Sequence, residues 1–226
     1  MANVAMIAQL VAVISACWAI ISGVGAWKRE FMGKRKIELA EQALANFFEV
    51  RDAISFIRNP FSSSSEGTTR EKNPAELPDE SELLNRGYIV VERFQKKEKT
   101  FTDFSTLKYR FMASFGRDSE DIFKETVRVT NSIFASARML STHYWQRQGR
   151  VHMEAEEFQR HLDEMHRHEG IFWEVGGDDD EINAKLQTIL TRLEGITAPC
   201  FQEPMTSYSW LTNRWSRANQ SSKQTR

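Results

Sequence analysis

The segment VAMIAQLVAVISACWAIISGVGAW, Val4 to Trp27, decides how the rest of the chain is read. It carries no charged side chain, and only Gln9, Ser15 and Ser22 interrupt its apolar run. At helical rise it extends roughly 36 Å, against a hydrocarbon core of about 30 Å. Burying so long an apolar cylinder in protein would need surrounding structure on every side, which 226 residues hardly supply. Residues 1–27 are therefore expected to form a single transmembrane helix.

The flanks orient it. Lys28, Arg29, Lys34, Arg35 and Lys36 follow the apolar run, offset only by Glu30, whereas nothing charged precedes it. Basic flanks stay on the cytoplasmic side, so the N-terminus is expected outside the inner (plasma) membrane and residues 28–226 inside. Trp27 then sits at the interfacial belt and Trp18 deep in the span. A cleaved signal peptide would want a basic start and a shorter apolar stretch. Ile14-Ser15-Ala16-Cys17 resembles a bacterial lipobox, with Cys17 as the lipidated residue, but the apolar run continues to Trp27, where a lipoprotein turns polar.

Small residues form a stripe on this helix: Ala5, Ala12, Ala16, Ala19, Gly23 and Ala26 recur at intervals of seven, four, three, four and three. Small side chains in lipid let backbones approach closely, so Ala12, Ala16, Ala19 and Gly23 are the expected contact face of a homo-oligomer.

Beyond the span the pattern is helical throughout. Ile37, Ala40, Leu44, Phe47, Ile54 and Ile57 mark a first helix within residues 28–58, which Asn59-Pro60 ends. Gly33 leaves either a continuous rod or a bend between span and helix. Residues 59–81, with Pro60, Pro74, Pro78 and the Ser62–Ser65 run, read as a Ser/Pro-rich loop and a disordered linker. A second helix follows from Leu84 to Phe115, stopped by Gly116. A third, capped by Asp118 or Ser119, buries Ile122, Phe123, Val127, Ile133, Phe134, Ala137 and Leu140. A fourth over Val151–Trp173 uses Phe158, Leu162, Met165 and Phe172, and a fifth starts at Asp178–Asp180, carries Ile182, Leu186, Ile189, Leu190 and Leu193, and ends at Gly195 and Pro199. The expected fold is all-α: one transmembrane helix, then an antiparallel cytoplasmic bundle of four to five helices over residues 28–58 and 82–198, and a tail at 199–226.

Candidate chemistry is sparse. All five histidines fall between His143 and His168, with His161, His166 and His168 on the fourth helix. Glu157 with His161 and Glu164 with His168 share a helical spacing of four, yet Asp163-x-x-His166 is the single approximation to a di-iron unit, so a solvated polar face is expected and no metal or cofactor. Arg51 and Arg58 sit near the core edge of the first helix, and an antiparallel second helix would bring Glu92 to Arg51 as an intrabundle ion pair. The tail sets Trp210 and Trp215 beside Arg214 and Arg217, suiting a membrane surface, a protein partner, or packing onto the bundle.

Lys and Arg number 30 against 31 acids, a net charge of -1, so no global field favours nucleic acid. Two cysteines exclude a disulfide framework. Nucleophile-elbow, phosphate-loop and dinucleotide motifs are all missing, so no enzyme is expected. The expected function is a membrane-tethered interaction or scaffold module, in contact with membrane lipid and a protein partner. One alternative is an effector or sensor acting by oligomerisation of the span, prompted by the small-residue stripe and Gln9; another is a metal-dependent enzyme using the His-rich helix.

Overall fold

A computed structural model describes residues 2–176 and 179–202. Among them every regular element is helical and no strand occurs. In chain order these are α1 (Ala2–Arg58), α2 (Pro78–Thr106), α3 (Lys108–Phe115), a 3-10 turn (Arg117–Ser119), α4 (Glu120–Met139), a π-turn (Leu140–Tyr144), α5 (Trp145–Arg147), α6 (Ala155–Phe172) and α7 (Glu181–Gln202). The chain divides into two compact units, one comprising residues up to Glu41 together with those from Thr197 onward, the other Gln42–Ile196.

In the first unit, α1 contains one stretch long and apolar enough to cross a membrane, and none of it is buried in protein. Its two serines bond to their own helix, Ser15 Oγ donating to Val11 O at 2.8 Å and Ser22 Oγ to Ala19 O at 3.0 Å. That arrangement leaves no hydroxyl in need of water. Trp27 stacks on Phe31 with centroids 5.8 Å apart, and Leu39, Ala40 and Thr197 are buried. Gly33 does not interrupt α1, so the continuous helix is the observed alternative.

The second unit is built around residues 42–58 of α1. Ala43, Phe47, Val50, Ile54 and Ile57, spaced alternately four and three apart, are all buried. Four-three spacing of this kind puts the buried residues in one seam along a single face of the helix. Ala40, Phe47, Ile54 and Ile57 are buried as expected, but Leu44 is only half-buried, because Ala43 takes the inward position in that turn.

Pro78 opens α2 from a first-turn position where its missing N–H costs nothing, and Asp79 and Glu80 follow in the same turn. The helix predicted as continuous to Phe115 breaks at buried Leu107 into α2 and α3, and Gly116, at φ +96°, terminates α3. Ser119 does not cap α4; its Oγ donates backward to Gly116 O at 2.6 Å. On α4, Ile122, Phe123, Ile133 and Ala137 are buried as expected, but Val127 is 52% exposed and Val129 and Thr126 take the inward positions.

On α6, Phe158 is 43% exposed, and buried His161 occupies the inner face with Met165, Ile171 and Phe172. The predicted apolar positions of α7 all lie in the core, yet the helix continues past Gly195 and Pro199 to Gln202. A proline inside a helix loses one backbone bond without ending it when neighbouring turns hold.

The loop before α2 is not the free linker expected. Gly67 N and Thr69 Oγ1 both donate to the Glu92 carboxylate, the latter at 2.7 Å. Arg93 grips Glu66 through Nε at 3.1 Å and Nη2 at 2.8 Å, and donates to the carbonyls of Asn59 at 2.6 Å and Phe61 at 2.7 Å. Two adjacent residues of α2 thus strap the loop down. Composition alone does not reveal this, since the binding groups lie outside the loop.

Candidate functional site

The most unusual local geometry in the 42–196 unit lies where α4 passes into the π-turn. One extra residue per turn re-aims the side chains that follow, and such bulges are frequent at functional sites. Gly87 on α2 permits the close approach here: a Cβ at that position would fall 2.5 Å from the Ser141 Cβ. The turn directs Tyr144 toward α6, where its ring lies 5.4 Å from that of His161 and 5.3 Å from that of His168. His143 packs edge-on against Tyr144 at 5.0 Å. Beside them the Trp145 indole donates to Glu169 Oε1 at 2.8 Å and meets Phe172 edge-on.

The polar atoms of this cluster differ in how they are matched. His168 Nδ1 shares a hydrogen bond with Ser136 Oγ at 3.0 Å. His161 is 6% exposed, and its Nε2 is buried with no hydrogen-bond partner. Burial pushes the His161 imidazole below its ordinary value of 6.5, helped by the nearby charges of Arg147 and His143 and opposed by Glu157. His168 is lowered too, by burial first and Arg167 second, against Glu164. Both rings are therefore held toward the neutral form.

The fourth-helix histidines were expected on a solvated face; that holds for His166, whereas His161 faces inward and His168 is half-buried. Asp163 accepts from Gln159 at 2.8 Å on the exposed side. Among the described residues no group of three or more His, Cys, Asp or Glu side chains is placed to hold a metal ion. Tyr144 has no signal in the sequence, because a π-turn leaves no periodic mark.

A pH dependence follows. An imidazole disfavouring protonation in the folded state binds more protons when unfolded, so stability falls as pH drops through about 6.5. His161→Phe keeps a ring against Tyr144 and removes the orphaned nitrogen. Urea unfolding of the full chain in mild detergent between pH 7.5 and about 5.5 should show a shallower loss for this variant than for wild type. Parallel profiles would contradict the assignment.

Arg51 and Glu92 do not pair. Arg51 Nε lies 3.7 Å from Asp52 and its guanidinium sits 5.1 Å from the Phe48 ring centroid, while Glu92 is taken up by the loop. It is Arg58, one heptad further on, that is fully buried. Its Nη1 and Nη2 donate to Asp180 Oδ1 and Oδ2 at 2.9 and 2.8 Å, Nε donates to Ile171 O at 2.9 Å, and Nη2 reaches the carbonyls of Gly170 and Trp173 at 2.8 and 2.9 Å. A planar guanidinium with every edge engaged is the geometry in which a buried charge is tolerated. Asp180 also accepts from Asn183 N at 2.9 Å, making it the cap of α7.

In the other unit Ala12, Ala16, Ala19 and Gly23 are all exposed along α1. Lys34 pairs with Glu30 at 2.8 Å, Arg35 lies over the Phe31 ring, and Lys28 and Lys36 are exposed. The Arg29 side chain and the tail residues Trp210, Arg214, Trp215 and Arg217 lie outside what the structure describes. Cys17 and Cys200 are free thiols. No family model, curated protein or solved structure matches the chain.

Proposed function

We propose that the protein is a non-enzymatic, membrane-tethered interaction or scaffold module. In this reading the apolar part of α1 spans the inner membrane with the N-terminus outside, and the remaining helices form an antiparallel bundle on the cytoplasmic side. The observation that carries it is the exposed apolar stretch of α1. Large side chains there, including Trp18 at 73% exposure and Ile21 at 72%, have no protein cover, and water would leave that surface unsatisfied. Lipid covers it at no such cost, with the basic residues after Trp27 on the inner side.

Tethering confines the bundle to two dimensions and raises the effective concentration of weak contacts, which is how a scaffold without a catalytic centre gains selectivity. The exposed stripe of Ala12, Ala16, Ala19 and Gly23 supports self-association of the span within the same reading. Two measurements test it. A chemically crosslinked pull-down from membranes should recover a partner set with the full chain that a chain lacking 1–27 does not recover; identical sets would contradict the tethered role. Ala16→Cys, in a background with Cys17→Ser and Cys200→Ser, should give an oxidant-induced dimer that Gly23→Ile diminishes. A dimer yield indifferent to Gly23→Ile would contradict the stripe.

A further inference from the structure

Within the 42–196 unit, α2 and α4 leave an open groove of about 830 Å³ between them. Phe94, Glu98, Phe101 and Ser105 line it from α2, at intervals of four, three and four. Phe123, Val127, Thr130 and Phe134 line it from α4 at the same intervals. The Phe94 ring meets Phe134 at 5.1 Å and the Phe104 ring meets Phe123 at 4.8 Å, so these two helices run in opposite directions along the groove. Two matched seams about three turns long form the bed into which a third helix nests its own apolar stripe.

The charges narrow the occupant. Lys108 and Lys124 on the rim are both engaged by Glu120, at 2.9 Å each. By the register of the phenylalanine pairs, Glu98 on α2 stands level with Thr130 on α4, with exposed Arg128 about half a turn away along the same groove, and no ion pair joins Glu98 to Arg128 or engages either one among the described residues. A fatty anion would satisfy Arg128 but meet Glu98. A helix with a carboxylate on one flank and a base on the other satisfies both, as flanking charges do in paired helices. Residues 204–226 of this chain cannot fill that role, since they carry bases and no acid.

We infer that the groove between α2 and α4 receives an amphipathic helix of a partner protein, apolar at four-three-four spacing, with an acid facing Arg128 and a base facing Glu98. The inference rests on the scaffold reading and names its partner site.

The test uses the full chain in phosphatidylcholine nanodiscs and a fluorescent synthetic helix of about 14 residues, with leucines at that spacing, glutamates on one flank and lysines on the other. The expected result is saturable binding of one peptide per chain, weakened about ten-fold or more by Val127→Asp. A peptide with its flanks exchanged should bind less well, and the double variant Glu98→Lys/Arg128→Glu should reverse that preference. The inference is overturned by an absence of saturable binding, by equal binding of both flank arrangements, by saturable binding of oleate alone, or by a dimer of the chain itself that Val127→Asp dissolves. A chain that will not enter nanodiscs refutes the tether, and the same titration in buffer then still decides the groove.

Discussion

Asp180→Asn is expected to lower the stability of the full chain by about 3–5 kcal/mol, because it leaves the Arg58 guanidinium buried without a counter-charge. Asparagine keeps the size of the side chain and the oxygen that caps Asn183, so loss of packing or of the helix cap is not the cause. Both side chains of this pair are at 0% exposure, which sets it apart from exposed, solvent-screened ion pairs such as Lys99–Asp103. Arg58→Met with Asp180→Leu should recover only part of the loss, since the carbonyls of Gly170, Ile171 and Trp173 lose their donors. The same pair fixes an acid limit. Burial alone would raise the Asp180 carboxyl, but the Arg58 hydrogen bonds, the Asn183 and Val175 amides and the Arg58 charge outweigh it and hold it below 3.8. A depressed carboxyl stabilises above its unfolded pKa, and that contribution fades as pH falls below about 4. Urea unfolding followed by far-ultraviolet circular dichroism at pH 7 and pH 3.5 measures both effects. A loss under about 1 kcal/mol for Asp180→Asn at pH 7 would show that the pair is not the lock described.

Gly67→Ala should release the loop between α1 and α2. Gly67 has φ +81°, and an added Cβ would fall 2.0 Å from the backbone oxygen of Asn85, which α2 cannot move. The strained conformation and the lost hydrogen bonds to Glu92 together cost on the order of 3 kcal/mol. The damage is local: Glu92 exchanges its loop partners for water, while the core of residues 42–58 stays packed. Hydrogen exchange should therefore lose protection across 62–72 with little change in α4 or α7, and protease should cut there first. Protection equal to wild type would contradict the strap, and uniform loss across all helices would mean that the loop is integral to the core.

These two sites mark where the sequence was and was not legible. Helix existence was readable because Ile182, Leu186, Ile189 and Leu193 keep a strict period that only a helix buries on one side. The break at Leu107 and the run past Pro199 were not, since both depend on tertiary packing that overrides local propensity. Arg58 and Asp180 were each visible, one as a charge near the core edge and one as a helix-starting acid. Their pairing spans 122 residues of separation, and no local pattern encodes that. Heptad position alone does not separate Arg51, which is half-exposed, from Arg58, which is sealed. His161 stands in a charged stretch of sequence, yet the inner stripe of α6 runs through it to Met165 and Phe172.

A helix stretch solvated by lipid stays with the membrane until the bilayer itself is dissolved. Alkaline carbonate extraction of membranes holding the untagged chain, compared with Ile14→Lys/Ile20→Lys, tests α1 for this most directly. Two lysines near the middle of a span cost about 5–7 kcal/mol on insertion scales. Wild type is expected in the pellet and the double variant in the supernatant. Wild type recovered in the supernatant would contradict it.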